Sequence, residues 1–438
     1  MTQCETLSEK REHVNAVYAF AENRAIMNIG LFVTFVSPSS MSQARLQSAI
    51  LSGLAKLHLD RYRFIVFSHD RSPMQLESGF SHCPVVAYGK WEELAHRLRA
   101  AVGSALSWAW KLTGASGGRT FDRLKRLSKF EPKHFQQMRD LNIRLLWSVN
   151  QHELKVPVPF MRTIWEANHR VYPMFPEFSY TRYGFDGSDS GMADSLARAS
   201  YVITSTEECK RQLIEMLGVH HAKVRVIPFP TPVLKDVPMQ TTSVPVQRYI
   251  FYPAQFWPEK NHVVIVEALK ILRRRHSVAL TCVFTGGDRG NLAYVLRYAE
   301  RLGVRDLIDY RGHVSEDELT ALYRGALALV YANAAGPDNL PALEAMAQGC
   351  PAIIADVLGA REQCGEAALY FGLTDERDLA DRILSLMRDD TIRSELIARG
   401  KSRIATLSAD NYAAAVLNIL DEFSRVARAW ERCDSEFF

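Results

Sequence analysis

The 438-residue sequence has no paired cysteines, no long apolar run and no large excess of charge of either sign. Its seven cysteines are an odd, scattered set without a CxxC pair, which argues against a structural zinc site and favours a reducing compartment. A membrane-spanning helix needs about 20 consecutive apolar residues, and the chain contains no such run. The first 23 residues are polar and mixed in charge, unlike a secretory signal peptide. These absences predict a cytoplasmic protein.

The net charge of +4 is small for a chain of this length, so composition gives no indication of nucleic-acid binding. Because the chain is too long for one typical core, we expect two domains. The predicted organisation is an N-terminal extension at 1–24, a first domain at 25–234, a polar linker at 235–247, a second domain at 248–408 and a C-terminal helix at 409–438.

Hydrophobic patterns predict strands that alternate with helices on both sides of the linker, which is typical of parallel sheets covered by helices on both faces. In the first domain, strands are predicted at 25–36, 63–68, 85–88, 143–148, 163–165, 201–204 and 224–227. In the second domain, they are predicted at 249–256, 279–285, 307–310, 327–331 and 352–355. A final helix is predicted from an apolar stripe of Tyr412, Val416, Ile419, Leu420 and Phe423.

Polar or glycine-containing segments follow the strands of the second domain. Lys260 follows the first of these strands, Gly286 and Gly287 follow the second, Val314 follows the third, and residues 336–340 follow the fourth. Ligands of such sheets bind outside the carboxyl ends of the strands. We therefore expect these residues to converge on one site.

The segment at 336–351, GPDNLPALEAMAQGCP, is the most informative part of the chain. Turn residues follow an apolar strand and lead into a helix that is predicted to carry Pro341 and Glu344 in its first turn. Proline suits that turn because its missing N–H has no helical partner there. The free amides of such a helix end suit a diphosphate. An ordinary strand–loop–helix unit fits this segment equally well.

Seven further segments surround this one in a fixed order: YPAQFWPEKNH at 252–262, VFTGG at 283–287, YRGHV at 310–314, SEDEL at 315–319, PAIIAD at 351–356, RE at 361–362 and GEAALYF at 365–371. In this order and spacing, the set resembles the donor-binding domain of family 4 glycosyltransferases, which are retaining enzymes with the GT-B fold. The resemblance covers residues 248–405 in register and 160–230 more loosely.

This resemblance implies an α/β fold of two Rossmann-like, doubly wound domains facing a central cleft. It also implies that the C-terminal helix crosses back to the first domain, although a helix packed on the second domain is an open alternative. The implied co-substrate is a nucleotide diphosphate sugar. No cofactor and no metal are expected, because such enzymes need none and the sequence has no DxD triplet or clustered metal ligands.

The resemblance implies that Lys260 binds the leaving diphosphate. Its ammonium group would stabilise the negative charge that develops as the glycosidic bond breaks. Five residues earlier the family usually has an arginine, where this chain has Gln255. Glu344 matches the second glutamate of the family's paired-glutamate motif and would accept hydrogen bonds from the ribose. Gly336 stands in place of the first glutamate, and Asp338 is either its substitute or a turn-forming residue.

The resemblance implies further donor contacts. Gly286 and Gly287 would let the backbone approach the ligand closely, or form a simple turn. Val314 would offer its main chain to the nucleobase, with Tyr323 nearby. Asn339 and Leu340 complete the donor-binding set.

In the first domain, residues 163–173 resemble the loop that carries a His-Asp pair in many relatives. Trp165 and Glu166 occupy those two places here, and His169 follows three residues later. Glu166 and His169 are therefore candidates to orient donor or acceptor hydroxyls. A structural role for the histidine is the alternative.

Residues 94–139 form a basic segment with ten Lys and Arg side chains against Asp122 and Glu131, a net +8. The tryptophans Trp108 and Trp110 lie within it. Such a segment suits an anionic membrane surface or a pyrophosphate-linked acceptor, whereas two solvated helices are the alternative.

The sequence thus predicts a retaining, metal-independent hexosyltransferase that acts on a glycan or lipid-linked acceptor. By resemblance, cell-surface polysaccharide or lipopolysaccharide assembly fits best, at the inner face of the plasma membrane. A nucleotide-sugar epimerase on the same fold and a catalytically inactive GT-B partner subunit are the two rival hypotheses. No nucleic-acid partner is expected.

Overall fold

The computed structural model describes residues 26–33, 41–57, 61–68, 80–84, 133–151, 156–179, 184–232, 234, 245, 247–336 and 338–429. The N-terminal extension, the predicted strand at 85–88, the basic segment up to residue 132 and most of the linker lie outside these residues. Membrane contact by the basic segment therefore stays a prediction.

The strands within the described residues are β1 (Met27–Phe32), β2 (Tyr62–Ser68), β3 (Ser81–Pro84), β4 (Ile143–Ser148), β5 (Phe160–Thr163), β6 (Tyr201–Thr204), β7 (Val224–Val226), β8 (Tyr249–Pro253), β9 (Thr281–Thr285), β10 (Ile308–Tyr310), β11 (Ala328–Tyr331), β12 (Ala352–Ala355) and β13 (Ala368–Phe371).

The helices are α1 (Met41–Ala55), α2 (Lys133–Asp140), α3 (Asn168–Val171), α4 (Pro176–Ser179), α5 (Gly184–Arg198), α6 (Glu207–Leu217), α7 (His262–His276), α8 (Leu292–Leu302), α9 (Glu316–Gly325), α10 (Leu340–Ala347), α11 (Ala360–Cys364), α12 (Glu376–Arg388), α13 (Asp390–Thr406) and α14 (Ala409–Ala427).

The chain divides into two compact units. The first holds the described residues within Met1–Phe32, His58–Leu146 and Val156–Pro159, and the second holds those within Val33–Leu57, Trp147–Lys155 and Phe160–Phe438. In the first unit, β3, β2, β1 and β4 lie in that order. The β1–β2 and β2–β3 pairs are parallel.

The second unit contains β5, β6 and β7, which pair in parallel, and a six-stranded sheet in the order β10-β9-β8-β11-β12-β13. Every strand pair of the six-stranded sheet is parallel. Its strands are largely apolar and buried, as expected for a sheet covered on both faces. All residues of the site described below belong to this second unit.

Most of the strands predicted within the described residues are present, several of them with different ends. The strand predicted at 163–165 is β5, which ends at Thr163, so Trp165 lies outside the sheet. The strand predicted at 249–256 ends at Pro253, and Phe256 forms only an isolated bridge with Asp288. β13 was not predicted as a strand, although its residues belong to one of the motif segments.

The C-terminal helix α14 is capped by Ser408, whose side chain accepts a hydrogen bond from Asn411 N. Its predicted apolar stripe is buried. The helix packs on α1, where a β-carbon on Gly53 would overlap the carbonyl oxygen of Ala409. Tyr412 also stacks on Trp147, with ring centroids 6.4 Å apart. The expectation that this helix returns to elements from residues 25–234 is confirmed.

None of the helices in the described part of the chain is long and apolar enough to cross a membrane.

Candidate active site

A cavity of about 460 Å³ lies at the carboxyl ends of β8, β9, β10 and β11. Side chains from α1 and from the loops after β4, β5 and β7 also line it. Seven of the predicted site residues line this cavity: Glu166, Gln255, Lys260, Gly286, Val314, Asp338 and Leu340. The expected convergence of the loops that follow these strands is therefore present.

Lys260 ends a short 3-10 turn at Pro258–Lys260, after β8. Its Nζ lies 3.1 Å from Glu259 Oε1 and donates a hydrogen bond of 3.2 Å to Asn333 Oδ1. Burial alone lowers the pKa of Lys260, but interactions with Tyr331, Glu259 and Glu166 outweigh it and raise the pKa. The ammonium group is therefore charged at every physiological pH.

Two further carboxyl groups line the cavity near Lys260. Burial raises the pKa of Glu166, although Lys260 and a hydrogen bond from Asn168 act in the opposite direction. Burial also raises the pKa of Asp338 to about 7, against a hydrogen bond from Ser205 that lowers it. Glu166 and Asp338 interact electrostatically.

Burial likewise raises the pKa of Glu259, which also lines the cavity, to about 8, although Lys260 opposes this. The cavity thus combines Lys260 with three acids whose protons are held unusually tightly.

Gly286 follows β9 and has a φ of 122°, a conformation that suits glycine. A β-carbon there would overlap the carbonyl oxygen of Ala254, so the loop after β9 lies directly against the loop after β8. Gly287 lies behind it and does not line the cavity. The ring of His313 fills the space beside Gly287 and lines the cavity together with Val314.

Glu344 does not line the cavity. Its side chain is 1% exposed, and Oε1 accepts hydrogen bonds from Arg45 Nη2 at 2.7 Å and Arg45 Nε at 3.2 Å. Tyr323 donates its hydroxyl to Oε2 at 2.9 Å. Arg45 itself lines the cavity, so it stands between Glu344 and the open space. The ribose contact of Glu344 and the base contact of Tyr323 stay predictions.

The local structure corrects one sequence-based expectation for Glu344. Helix α10 begins at Leu340, with Pro341 in its first turn, so Glu344 is the fifth helical residue and not a first-turn acid. Its carboxylate is held by two side chains rather than by free helix amides. The prediction that Glu344 lies in the first turn of this helix is therefore wrong.

Gly336 has a φ of 104°, and a β-carbon placed on it would lie 3.4 Å from Glu166 Oε2. Asn339 is buried, and its backbone N–H donates a hydrogen bond to Gln363 Oε1 at 2.7 Å. Neither residue lines the cavity.

His169 also lies away from the cavity. Its Nε2 is 3.1 Å from Asp189 Oδ1, in a cluster that includes Arg170, and its ring packs near Phe185. Burial lowers the pKa of His169, although Asp189 opposes this. The structure thus brings Glu166 to the site but not His169.

Several residues that line the cavity had no site role predicted from the sequence: Gln43, Arg45, Gln151, Trp257, Phe229 and His313. Some lie just after strand ends of the first half of the chain. The carboxyl-end rule could have found them there, as it found Lys260.

A smaller cavity of about 250 Å³ adjoins this site and shares Phe229 and Asp338 with it. Ser205, Glu362 and Arg403 also line it. The Glu362 carboxylate accepts hydrogen bonds from Glu207 N at 2.6 Å and Glu208 N at 3.2 Å. It therefore pairs with two backbone amides in the first turn of α6. Within the described residues, no group of three or more His, Cys, Asp or Glu could hold a metal ion.

Residues 239–403 match the family described as glycosyl transferases group 1. The match covers 165 of the 438 residues. The matched range contains Lys260, Gly286, Val314, Asp338 and Glu344.

The chain is 30% identical to O-antigen chain mannosyltransferase B of Escherichia coli over 177 residues, which are 39% of this chain and 45% of that protein. It is 25% identical to O-antigen chain mannosyltransferase RfbU of Salmonella typhimurium over 231 residues, 52% of this chain and 61% of that protein. The chain thus spans about half the length of these curated relatives.

Among solved structures, Anabaena Alr3699/HepE in complex with UDP and glucose has a TM-score of 0.61 and 14% identity, covering 90% of this chain and all of that one. Sucrose-phosphate synthase from Thermosynechococcus elongatus has a TM-score of 0.60 and 16% identity, covering 92% of this chain and all of that one. The predicted α/β fold of the GT-B type is confirmed by these likenesses.

Proposed function

We propose that this protein is a retaining glycosyltransferase that moves a hexose from a nucleotide diphosphate sugar to a glycan or lipid-linked acceptor. The observation that carries the proposal is Lys260, a half-buried, charged ammonium at the edge of the cavity formed by the strand-end loops. A leaving diphosphate gains negative charge as the glycosidic bond breaks, and a fixed cation in a buried site stabilises that charge.

The donor's parts can be assigned along the cavity. The diphosphate lies by Lys260 and Gly286, where the backbone allows close approach, and the nucleobase lies by Val314. The sugar lies by Glu166 and Asp338. The reaction uses no metal ion in this proposal, because cationic side chains, Lys260 among them, carry the phosphate charge.

The names of the O-antigen mannosyltransferases that match this chain support a role in cell-surface polysaccharide or lipopolysaccharide assembly, with mannose as the first sugar to test. Peripheral association with the inner face of an anionic membrane fits an acceptor carried on a lipid. The proposal also includes the predicted linker at residues 235–247, which would separate the two domains.

The test is release of nucleoside diphosphate from GDP-mannose, UDP-glucose, UDP-galactose and UDP-N-acetylglucosamine, first without an acceptor and then with lipid-linked glycans. Slow hydrolysis of one donor, accelerated by an acceptor, supports the proposal. An epimerase would instead change the sugar without releasing the nucleotide. An inactive partner subunit would do neither, even if it bound the nucleotide.

A further inference from the structure

The charged side chains that line the cavity are largely paired. Arg45 donates two hydrogen bonds to Glu344, and Lys260 lies 3.1 Å from Glu259 Oε1. Glu166 and Asp338 add two acids to the lining. A nucleotide diphosphate is strongly anionic, so a site with this charge pattern needs a further cation to bind it.

Arg289 lies beside the cavity in a position to provide that cation. Its Nε donates a hydrogen bond of 3.0 Å to Gln255 Oε1, and its guanidinium group lies over the Trp257 ring, 5.5 Å from the centroid. Trp257 Nε1 donates to the same Gln255 oxygen at 3.0 Å. Gln255 and Trp257 both line the cavity. Arg289 is therefore anchored at its edge by two residues of the site.

The charge of Arg289 is not used by an ion pair in the described part of the chain. The hydrogen bond to Gln255 uses Nε of Arg289. Its two terminal nitrogens remain available for a ligand, and their fork geometry suits phosphate oxygens. The loop that carries Arg289 is braced, since Asp288 Oδ1 accepts hydrogen bonds from Gly290 N at 2.7 Å and Leu292 N at 3.2 Å. An exposed arginine held in this way keeps its position without a bound ligand.

We infer that Arg289 binds the donor diphosphate, and that Gln255 and Trp257 hold its guanidinium group at the cavity edge. Gln255 itself has no charge to offer, but its oxygen orients a residue that does. This inference rests on the proposed function, because it requires a nucleotide diphosphate as ligand. It adds a residue that the sequence motifs do not contain.

Calorimetric titration with UDP, GDP and ADP would first identify the nucleoside diphosphate that the wild-type protein binds best. The same titration would then be run on Arg289→Ala, Arg289→Lys and the double variant Arg289→Ala/Gln255→Arg. Arg275→Ala is the matched control. It removes an exposed arginine from the last turn of α7, at the end of the helix away from the cavity.

We expect Arg289→Ala to weaken nucleoside diphosphate binding about tenfold, the low end of the range for hydrogen bonds to charged groups. The salt dependence of binding should become flatter because one cation is lost. Arg289→Lys should be intermediate, since it keeps the charge without the fork. Gln255→Arg should restore most of the affinity, and Arg275→Ala should bind as wild type.

Two outcomes would overturn the inference while leaving the proposed function intact. One is wild-type affinity in Arg289→Ala, and the other is a loss that Gln255→Arg does not restore. A wild-type protein that binds none of the three nucleoside diphosphates would overturn the proposed function, and the role of Arg289 with it.

Discussion

Glu166 Oε2 lies 3.4 Å from the position that a β-carbon on Gly336 would occupy. A carboxylate from the loop after β5 thus lies beside Gly336, the position at which the family resemblance implies the first motif glutamate. A longer side chain at position 336 would compete with Glu166 for this space. One carboxylate is therefore present at this point of the site, and it belongs to Glu166 instead of residue 336.

Glu166→Gln should therefore reduce turnover far more than donor binding. The substitution keeps the size of the side chain but removes a charge that faces the reacting sugar in the proposed donor placement. The loss of one such preorganised group is expected to cost roughly 100-fold in kcat. Steady-state kinetics with the donor identified above would measure it, with the melting temperature as a control for folding. A change confined to KM would contradict this role.

The activity of the wild-type protein should also depend on the ionisation of Glu166. Burial raises the pKa of Glu166 above its ordinary value. If the ionised carboxylate is the active form, kcat should fall on acidification at a higher pH than for an exposed glutamate. The pH profile of Glu166→Gln should lack this acidic limb. The same limb in both proteins would assign it to another group.

The pH dependence of stability should identify Asp338. Its folded-state pKa of about 7 is higher than its ordinary value of 3.8, so the folded protein binds this proton more tightly. The stability contributed by the proton is fully present below pH 3.8 and is lost as the pH rises through about 7.

Asp338→Asn should consequently gain stability relative to wild type across this interval, by at most about 1.4 kcal/mol per pH unit. Denaturant unfolding at several pH values would measure the difference. Ser205→Ala should move the upper end of the interval to higher pH, because the Ser205 hydroxyl lowers the pKa of Asp338. Parallel stability curves for wild type and Asp338→Asn would show that Asp338 does not titrate in this way.

Arg45 and Glu344 should be strongly coupled. Their side chains are only 11% and 2% exposed, and removing one partner of such a pair leaves a buried charge. Arg45→Met is expected to cost about 3–5 kcal/mol in the free energy of unfolding. The double variant Arg45→Met/Glu344→Gln should cost less than the sum of the single changes.

The exposed pair of Lys56 and Asp410, 3.2 Å apart, is the matched control for this cycle. Its side chains are 60% and 64% exposed, so Lys56→Met should cost at most about 1 kcal/mol. Equal effects at the two pairs would show that burial does not strengthen the Arg45–Glu344 contact.

The basic segment at 94–139 should bind anionic lipid vesicles with an affinity that falls as salt is added. Replacing Arg123, Lys125, Arg126 and Lys129 with serine should reduce co-sedimentation with vesicles that contain phosphatidylglycerol. Vesicle binding that is absent, or independent of salt, would favour two solvated helices.

The sequence was sufficient to predict the features of the fold that depend on residues close together in the chain. Alternation of apolar strands and helices predicted every strand of the six-stranded sheet except β13. The order of strand ends predicted that Lys260, Gly286 and Val314 would meet, because parallel strands carry their following loops to one edge.

What the sequence could not provide were contacts between residues far apart in the chain. Arg45 and Glu344 are separated by 299 positions, and nothing near either residue indicates the other. Arg289 was missed for a different reason, since it lies only 34 positions from Gln255 but outside the recognised motifs. His169 was a reasonable candidate by position, but Asp189 and Arg170 hold it elsewhere.

The most direct test of the account is the rate of donor turnover in Lys260→Ala, measured in a single turnover with saturating donor. The account predicts that nucleoside diphosphate release slows by roughly 100-fold or more while donor affinity changes much less, because Lys260 acts on charge that develops during the reaction. If Glu344 makes its predicted ribose contact, Glu344→Ala should show the reverse, with weakened donor binding and little change in the rate at saturation. Release at the wild-type rate in Lys260→Ala would contradict the assignment of the diphosphate to this cavity.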